Sequence, residues 1–206
     1  MLTIPRILAL GPVVPVIVID DRDKAIPLAE ALLEGGIRTI EITLRTPAAL
    51  DAISAVASRC PNITIGAGTV NRAELAYQAR DAGATFAVSP GTTQNVISGC
   101  RDAGMPLLPG AATVSEMMTL QDGGFSALKF FPANASGGTA FIKALASPIP
   151  GLIVCPTGGI TQDTAPDWLA LPNVPCVGGS WVASQAAIAD GDFSGIALRA
   201  AAAAAL

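Results

Sequence analysis

Three lysines and five glutamates occur in this chain of 206 residues, and one of each falls inside a β-patterned run. Lys129 sits in Leu-Lys-Phe-Phe-Pro-Ala and Glu41 in Thr-Ile-Glu-Ile-Thr-Leu. Lys24 lies among acidic residues, and Lys143, Glu30, Glu34, Glu74 and Glu116 fall in helical patterns. A lysine is almost never fully buried without a partner. Strand side chains alternate between faces, so Thr39, Glu41, Thr43 and Arg45 share one face while Ile40, Ile42 and Leu44 take the other. By the same phase Lys129 and Phe131 point together, opposite Leu128 and Phe130. A desolvated amine is a nucleophile, and attack on a ketone gives a carbinolamine and then an iminium. A nearby carboxylate could move protons for it, and Arg45 could hold a substrate carboxylate in a bidentate contact. The same residues also fit a buried Lys129–Glu41 salt bridge, weak evidence for stability, with Arg45 as a surface or capping charge and Phe131 as core.

Two glycine pairs carry a second message. Gly158-Gly159 follows Leu-Ile-Val-Cys-Pro-Thr, and Gly178-Gly179-Ser180 follows Val-Pro-Cys-Val. Each permits close backbone approach with free N–H groups, suited to a phosphate, although a lone glycine pair is more often just a turn. Thr69 and Thr157, at comparable strand ends, equally suit helix capping.

The elements that must position these residues alternate along the chain. Short apolar or β-branched runs begin near residues 13, 39, 63, 86, 106, 127, 152 and 174. Helical patterns lie between them, including Ala25 to Glu34, Glu74 to Ala82 and Asn95 to Ala103, each followed by glycine. Such alternation implies right-handed βαβ units and a parallel sheet. Eight near-equal units predict an α/β fold, a single (β/α)8 TIM barrel over residues 1–206, with an open doubly wound sheet as the alternative. Residues 2–10 are expected to form a helix closing the barrel bottom, and the alanine-rich residues 200–206 to end the last helix. Barrels place their active sites at the C-terminal mouth and often bind phosphate after strands seven and eight, where the two glycine pairs fall.

Composition narrows the partners. Half the residues are hydrophobic and 14% are charged, enough for a large core. A net charge of −4 leaves no basic footprint for nucleic acid. The chain has no histidine, which removes the commonest metal ligand and acid/base group together and argues against a zinc-dependent mechanism; neither a metal nor a cofactor is expected. Cys60, Cys100, Cys155 and Cys176 form no Cys-x-x-Cys pair and read as reduced core residues of a cytoplasmic protein. The apolar N-terminal stretch lacks a small-residue cleavage site. Residues 168–189 are uncharged but are broken by Pro172, Pro175, Gly178 and Gly179, so no membrane association is expected.

Taken in order, Glu-Ile-Thr-Leu-Arg-Thr (41–46), Gly-Ala-Gly-Thr (66–69), Val-Ser-Pro-Gly (88–91), Leu-Pro-Gly (108–110), Lys-Phe-Phe-Pro-Ala (129–133), Cys-Pro-Thr-Gly-Gly-Ile (155–160) and Val-Gly-Gly-Ser-Trp (177–181) resemble the 2-keto-3-deoxy-6-phosphogluconate (KDPG) aldolase and 4-hydroxy-2-oxoglutarate aldolase family. The resemblance covers nearly the whole chain. It implies a class I lyase of the Entner–Doudoroff pathway that releases pyruvate and D-glyceraldehyde 3-phosphate, works without metal and assembles as a homotrimer. Cleavage of 4-hydroxy-2-oxoglutarate to pyruvate and glyoxylate is a second implied activity. Residue by residue, it makes Lys129 the Schiff-base lysine and Glu41 the general acid/base. Arg45 and Thr69 would hold the pyruvate carboxylate, Pro90, Phe131 and Thr157 would shape its pocket, and Gly158, Gly159, Gly179 and Ser180 would receive the phosphate. The chain departs from the family pattern at Ala111-Ala112 and Asn134, outside the motif residues. Two alternatives stay open: an aldolase for a related sugar acid of the phosphogalactonate type, and a noncatalytic barrel that binds phosphorylated metabolites.

Overall fold

The computed structural model describes residues 3–206. Its strands are β1 (Val13–Ile17), β2 (Thr39–Thr43), β3 (Thr64–Gly68), β4 (Phe86–Val88), β5 (Leu107–Leu108, resumed as Gly110–Ala111), β6 (Ala127–Phe130), β7 (Ile153–Pro156) and β8 (Val177–Gly179). All pairings are parallel: β1 lies between β2 and β8, the order runs on through β3 and β4 to the first half of β5, and the second half of β5 pairs with β6 and β6 with β7. A bridge between Thr157 and Gly178 joins β7 to β8 and closes the ring. The fold is therefore the predicted barrel, and the open sheet is ruled out by that closing bridge, which leaves no strand at an edge.

Seven strands start within a residue of the predicted runs; the eighth does not. The Val174 N–H still closes a turn on the Leu171 carbonyl at 3.0 Å, and Pro175 has no N–H for a ladder, so pairing begins only at Val177. Pro109 interrupts β5 for the same reason. The ladder survives because the Gly110 N–H turns to the Ser89 hydroxyl at 3.1 Å, and the Pro109 carbonyl still accepts from the Lys129 N–H at 2.9 Å.

Helix α1 (Ile4–Leu8) precedes the strands, and the helices that follow them are α2 (Ala25–Glu34), α3 (Ala49–Arg59), α4 (Ala73–Asp81), α5 (Gln94–Asp102), α6 (Val114–Asp122), α7 (Gly138–Leu145), α8 (Ala165–Leu169), α9 (Gln185–Asp190) and α10 (Phe193–Ala204). Caps begin α5 at Thr93 and α6 at Thr113, where Glu116 reaches back to complete a capping box. Residues 200–204 of the alanine-rich end form the last turns of α10, which stops at Ala204. Small side chains let α10 approach α2 so closely that a Cβ on Gly35 would overlap Ala200.

Strand alternation divides the core in two. Ile40, Ile42, Leu128 and Phe130 face outward into the layer beneath the helices, where Phe130 stacks on Phe141 at 5.1 Å. Val14, Phe86, Val88, Leu108 and Ala127 face inward and meet Ile4, Ile7 and Leu8. These last three belong to α1 (Ile4–Leu8), which stoppers the N-terminal end. The helix predicted over 2–10 is thus present but shorter; Leu2 lies outside the described residues.

Candidate active site

Glu41 and Lys129 project inward from β2 and β6, as their strand phase requires, and meet across the lumen. The lysine Nζ lies 3.1 Å from Glu41 Oε1 and 3.4 Å from Oε2. Both side chains are 4% exposed. This contact is what period-two alternation could not supply, because it joins residues 88 apart in sequence. Each inward charge therefore has its partner, and the ammonium also stands 5.4 Å from the centroid of the Phe131 ring, a cation–π distance.

The neighbouring glycines make room for this pair. Gly66 and Gly68 face inward while Ala67 packs outward in the helix layer. A Cβ on Gly66 would overlap the Phe86 ring, and one on Gly68 would overlap the Glu41 carboxylate. Gly-Ala-Gly is thus dictated by interior packing at its two glycines. Across the ring, a Cβ on Gly178 would overlap the Thr157 hydroxyl, so that threonine fills the space its bridge partner leaves.

Lys129 lies at the floor of a cavity of about 330 Å³ at the C-terminal mouth, which also touches Arg45, Phe131, Thr157, Gly158, Gly159 and Ser180. Thr69 and Glu41 stand behind this lining. The Thr69 hydroxyl accepts from Arg45 Nε at 3.1 Å and so aims the guanidinium. Thr69 holds a φ of 62°, the one left-handed non-glycine residue among those described. For a β-branched side chain that conformation is costly and is typical of functional sites. Pro90 and Gly179 lie off the cavity. The Pro90 carbonyl packs where a Cβ on Gly110 would fall, and Gly179 is covered by the Trp181 indole.

The structure adds lining residues that sequence reasoning missed. Val16 and Val18 continue the inward alternation begun at Val14, a signal readable in Val-Pro-Val-Ile-Val. Ser184 and Gln185 close the outer side. Ser184 caps α9, accepting from the Ala187 N–H at 3.2 Å, and the Gln185 amide donates to Asp20. A serine two residues after Trp-Val was the available capping signal.

Cys155 pairs in register with Lys129 and lies 3.7 Å from Cys176, sulfur to sulfur, in the interior cluster. Their mutual hydrogen bond, reinforced by burial, pushes the Cys176 thiol well above its ordinary range. All four cysteines are free and buried, as predicted. Burial likewise pushes Cys100 up to about 11. The Cys176 and Cys100 thiols are thus poor nucleophiles. Lys129, by contrast, lines the cavity.

A closed parallel barrel with a buried amine held against a carboxylate at its mouth has the layout of an enzyme that works on carbonyl compounds through an imine. Comparison with known proteins agrees. The family model "KDPG and KHG aldolase" matches residues 4–198. A 2-dehydro-3-deoxy-phosphogluconate aldolase from Pseudoalteromonas atlantica is 50% identical over 90% of this chain and 86% of its own length. The KHG/KDPG aldolase of Escherichia coli is 45% identical over 92% and 89%. A crystal structure of a KDPG aldolase from Legionella pneumophila, with pyruvate captured as a covalent carbinolamine, superposes with a TM-score of 0.94. It has 43% identity and covers 97% of both chains. This chain belongs to the KDPG and KHG aldolase family.

Proposed function

We propose that this aldolase cleaves 2-dehydro-3-deoxy-6-phosphogluconate to pyruvate and D-glyceraldehyde 3-phosphate, with Lys129 as the Schiff-base amine and Glu41 as the acid/base. The observation that carries the assignment is the buried Lys129–Glu41 contact at 3.1 Å on the cavity floor. Glu41 takes the proton that Lys129 must lose before it attacks the C2 ketone. The carbinolamine then expels water to give the iminium. Removal of the C4 hydroxyl proton breaks the C3–C4 bond and releases the aldehyde, while its electron pair passes into the iminium to form an enamine. Protonation at C3 and hydrolysis free pyruvate and the amine. Glu41, directly or through a water, is the group placed to shuttle these protons.

Arg45, aimed by Thr69, holds the keto acid's carboxylate. Phe131 and Thr157 wall the reacting carbons, and Pro90 supports them from behind. Gly158, Gly159 and Ser180 receive the phosphate, with Gly179 setting their approach. The support is a rim where two consecutive glycines at φ 105° and 78° stand beside an exposed serine. The same keto-acid end would accept 4-hydroxy-2-oxoglutarate, which lacks the phosphate and yields pyruvate and glyoxylate. A homotrimer belongs to the same proposal, with Val114 and Met118, one turn apart on α6 and 39% and 53% exposed, offered as an apolar contact face. No described helix is long and apolar enough to cross a membrane.

Borohydride reduction in the presence of pyruvate tests the assignment. Wild type gains a pyruvate adduct on the peptide containing Lys129, and Lys129→Ala gains none. Glu41→Gln slows proton exchange at the pyruvate methyl by about 10²-fold or more, with a smaller effect on pyruvate binding. An unmodified Lys129 in wild type overturns the assignment.

A further inference from the structure

We infer that Asn134 is a positioning residue, fixing the Gly158–Gly159 turn and through it the phosphate end of the substrate; the inference rests on the phosphate assignment above. Register pairing of β6 with β7 ends at Phe130 and Pro156. Hydrogen bonding does not end there. The Thr157 N–H donates to the Phe130 carbonyl at 2.9 Å, the Ala133 N–H to Thr157 at 2.8 Å and the Asn134 N–H to Gly158 at 3.2 Å. The Asn134 side-chain amide then donates to the Gly159 carbonyl. One residue thereby holds both glycines, the first by its backbone and the second by its side chain.

The turn needs such a restraint. Two successive glycines have the widest conformational choice of any dipeptide, and a phosphate is bound well only if the backbone is already in place. The carboxamide also occupies the space over Gly159, where a Cβ would come 2.8 Å from Asn134 Nδ2 and 3.0 Å from its Cβ. At the other end of the same segment the Phe131 ring lies 3.3 Å from where a Gly158 Cβ would stand, and it faces Lys129 Nζ at 5.4 Å from its centroid. Residues 131–134 therefore form a gauge between the amine and the phosphate turn. The Gly159 carbonyl is an acceptor, so a donor is required at Asn134. An aspartate of the same shape would set oxygen against oxygen.

The test compares Asn134→Ala and Asn134→Asp with wild type in three assays. These are cleavage of the phosphorylated substrate, competitive inhibition of that cleavage by inorganic phosphate, and methyl-proton exchange of pyruvate, which involves only the Lys129 end. Loss of one partly exposed hydrogen bond should raise KM for the phosphorylated substrate by about three- to tenfold in Asn134→Ala. Inhibition by phosphate should weaken by about the same factor, with kcat and pyruvate exchange within about twofold. Asn134→Asp should lose at least as much. Unchanged KM and phosphate inhibition in both variants overturn the inference, as does an equal loss in pyruvate exchange, which would mean general loosening. If wild type itself is not inhibited by phosphate, the phosphate assignment fails first, and the two failures are told apart by that control. Asn134 is exposed, and thermal unfolding of each variant checks that the barrel is intact.

Discussion

Gly68→Ala would perturb the Lys129–Glu41 pair without altering either partner. The Gly68 backbone is not left-handed, so alanine brings no φ strain there. Its methyl would instead meet the Glu41 side chain, with Cγ at 2.6 Å and Cδ at 2.7 Å, where ordinary contact begins at 3.4 Å. The side chain must therefore retreat by about 0.8 Å at Cγ and about 0.7 Å at Cδ, and by more at Oε1, the nearest atom. Its contact with Lys129, now 3.1 Å, has no such slack, because a hydrogen bond is weak beyond about 3.5 Å. A misplacement of about 1 Å in a reacting group costs on the order of a hundredfold in rate, within the range expected for losing a positioned acid or base. The expected result is a fall in kcat/KM of about a hundredfold. Pyruvate release coupled to lactate dehydrogenase reads it directly. Borohydride should still trap pyruvate on Lys129, since the amine is untouched. Adding Glu41→Asp, one methylene shorter, should cost less in the Gly68→Ala background than in wild type, because the two sites share one space. A Gly68→Ala enzyme that folds normally and keeps more than about a third of wild-type kcat/KM refutes the geometry, given the size of the displacement required.

Other outcomes follow from the polar contacts around the barrel. Thr69→Val keeps the shape but removes the acceptor for Arg45 Nε; the apparent Kd for pyruvate in borohydride trapping should rise by about three- to tenfold. At alkaline pH, Cys100 holds its proton up to about 11 when folded, whereas a free thiol loses it near 8.5. The unfolded chain then binds fewer protons, so stability falls as pH rises through that window, and Cys100→Ala should flatten the drop in urea midpoint. On the acid side, the Ala112 and Thr113 N–H groups hold the Glu116 carboxyl below its usual range. Its contribution is present above the ordinary carboxylate range and lost as pH falls through the lowered value; Glu116→Gln should reduce that acid sensitivity in the same urea titration.

The inward placement of Glu41, Lys129 and Phe131 was legible because strand alternation is strict and because a charge in an apolar run has few explanations. Barrel closure was legible only as eight spacings, since no local pattern states that β1 pairs with β8. The Lys129–Glu41 distance was not legible at all, because it depends on the lumen's width. Pro109 and Pro175 hid their consequences differently: each removes an N–H, but only the fold shows that Ser89 rescues one ladder while the other simply starts late. Gly66 and Gly68 read as a glycine-rich strand end, yet their cause is the bulk of Phe86 and Glu41 on the neighbouring strands. Asn134 was legible only as a departure from the family pattern, as its partner is a backbone carbonyl 25 residues away.

The stopper formed by Ile4, Ile7 and Leu8 has a consequence for traffic. A vessel sealed at one end has a single doorway, and everything that enters must leave the same way. Under the proposed assignment the phosphorylated fragment rests at the exposed rim by Gly159, while the three-carbon fragment stays bonded to an amine at the sealed depth. Departure is then a queue: the aldehyde goes first, water follows it in, and pyruvate is last out.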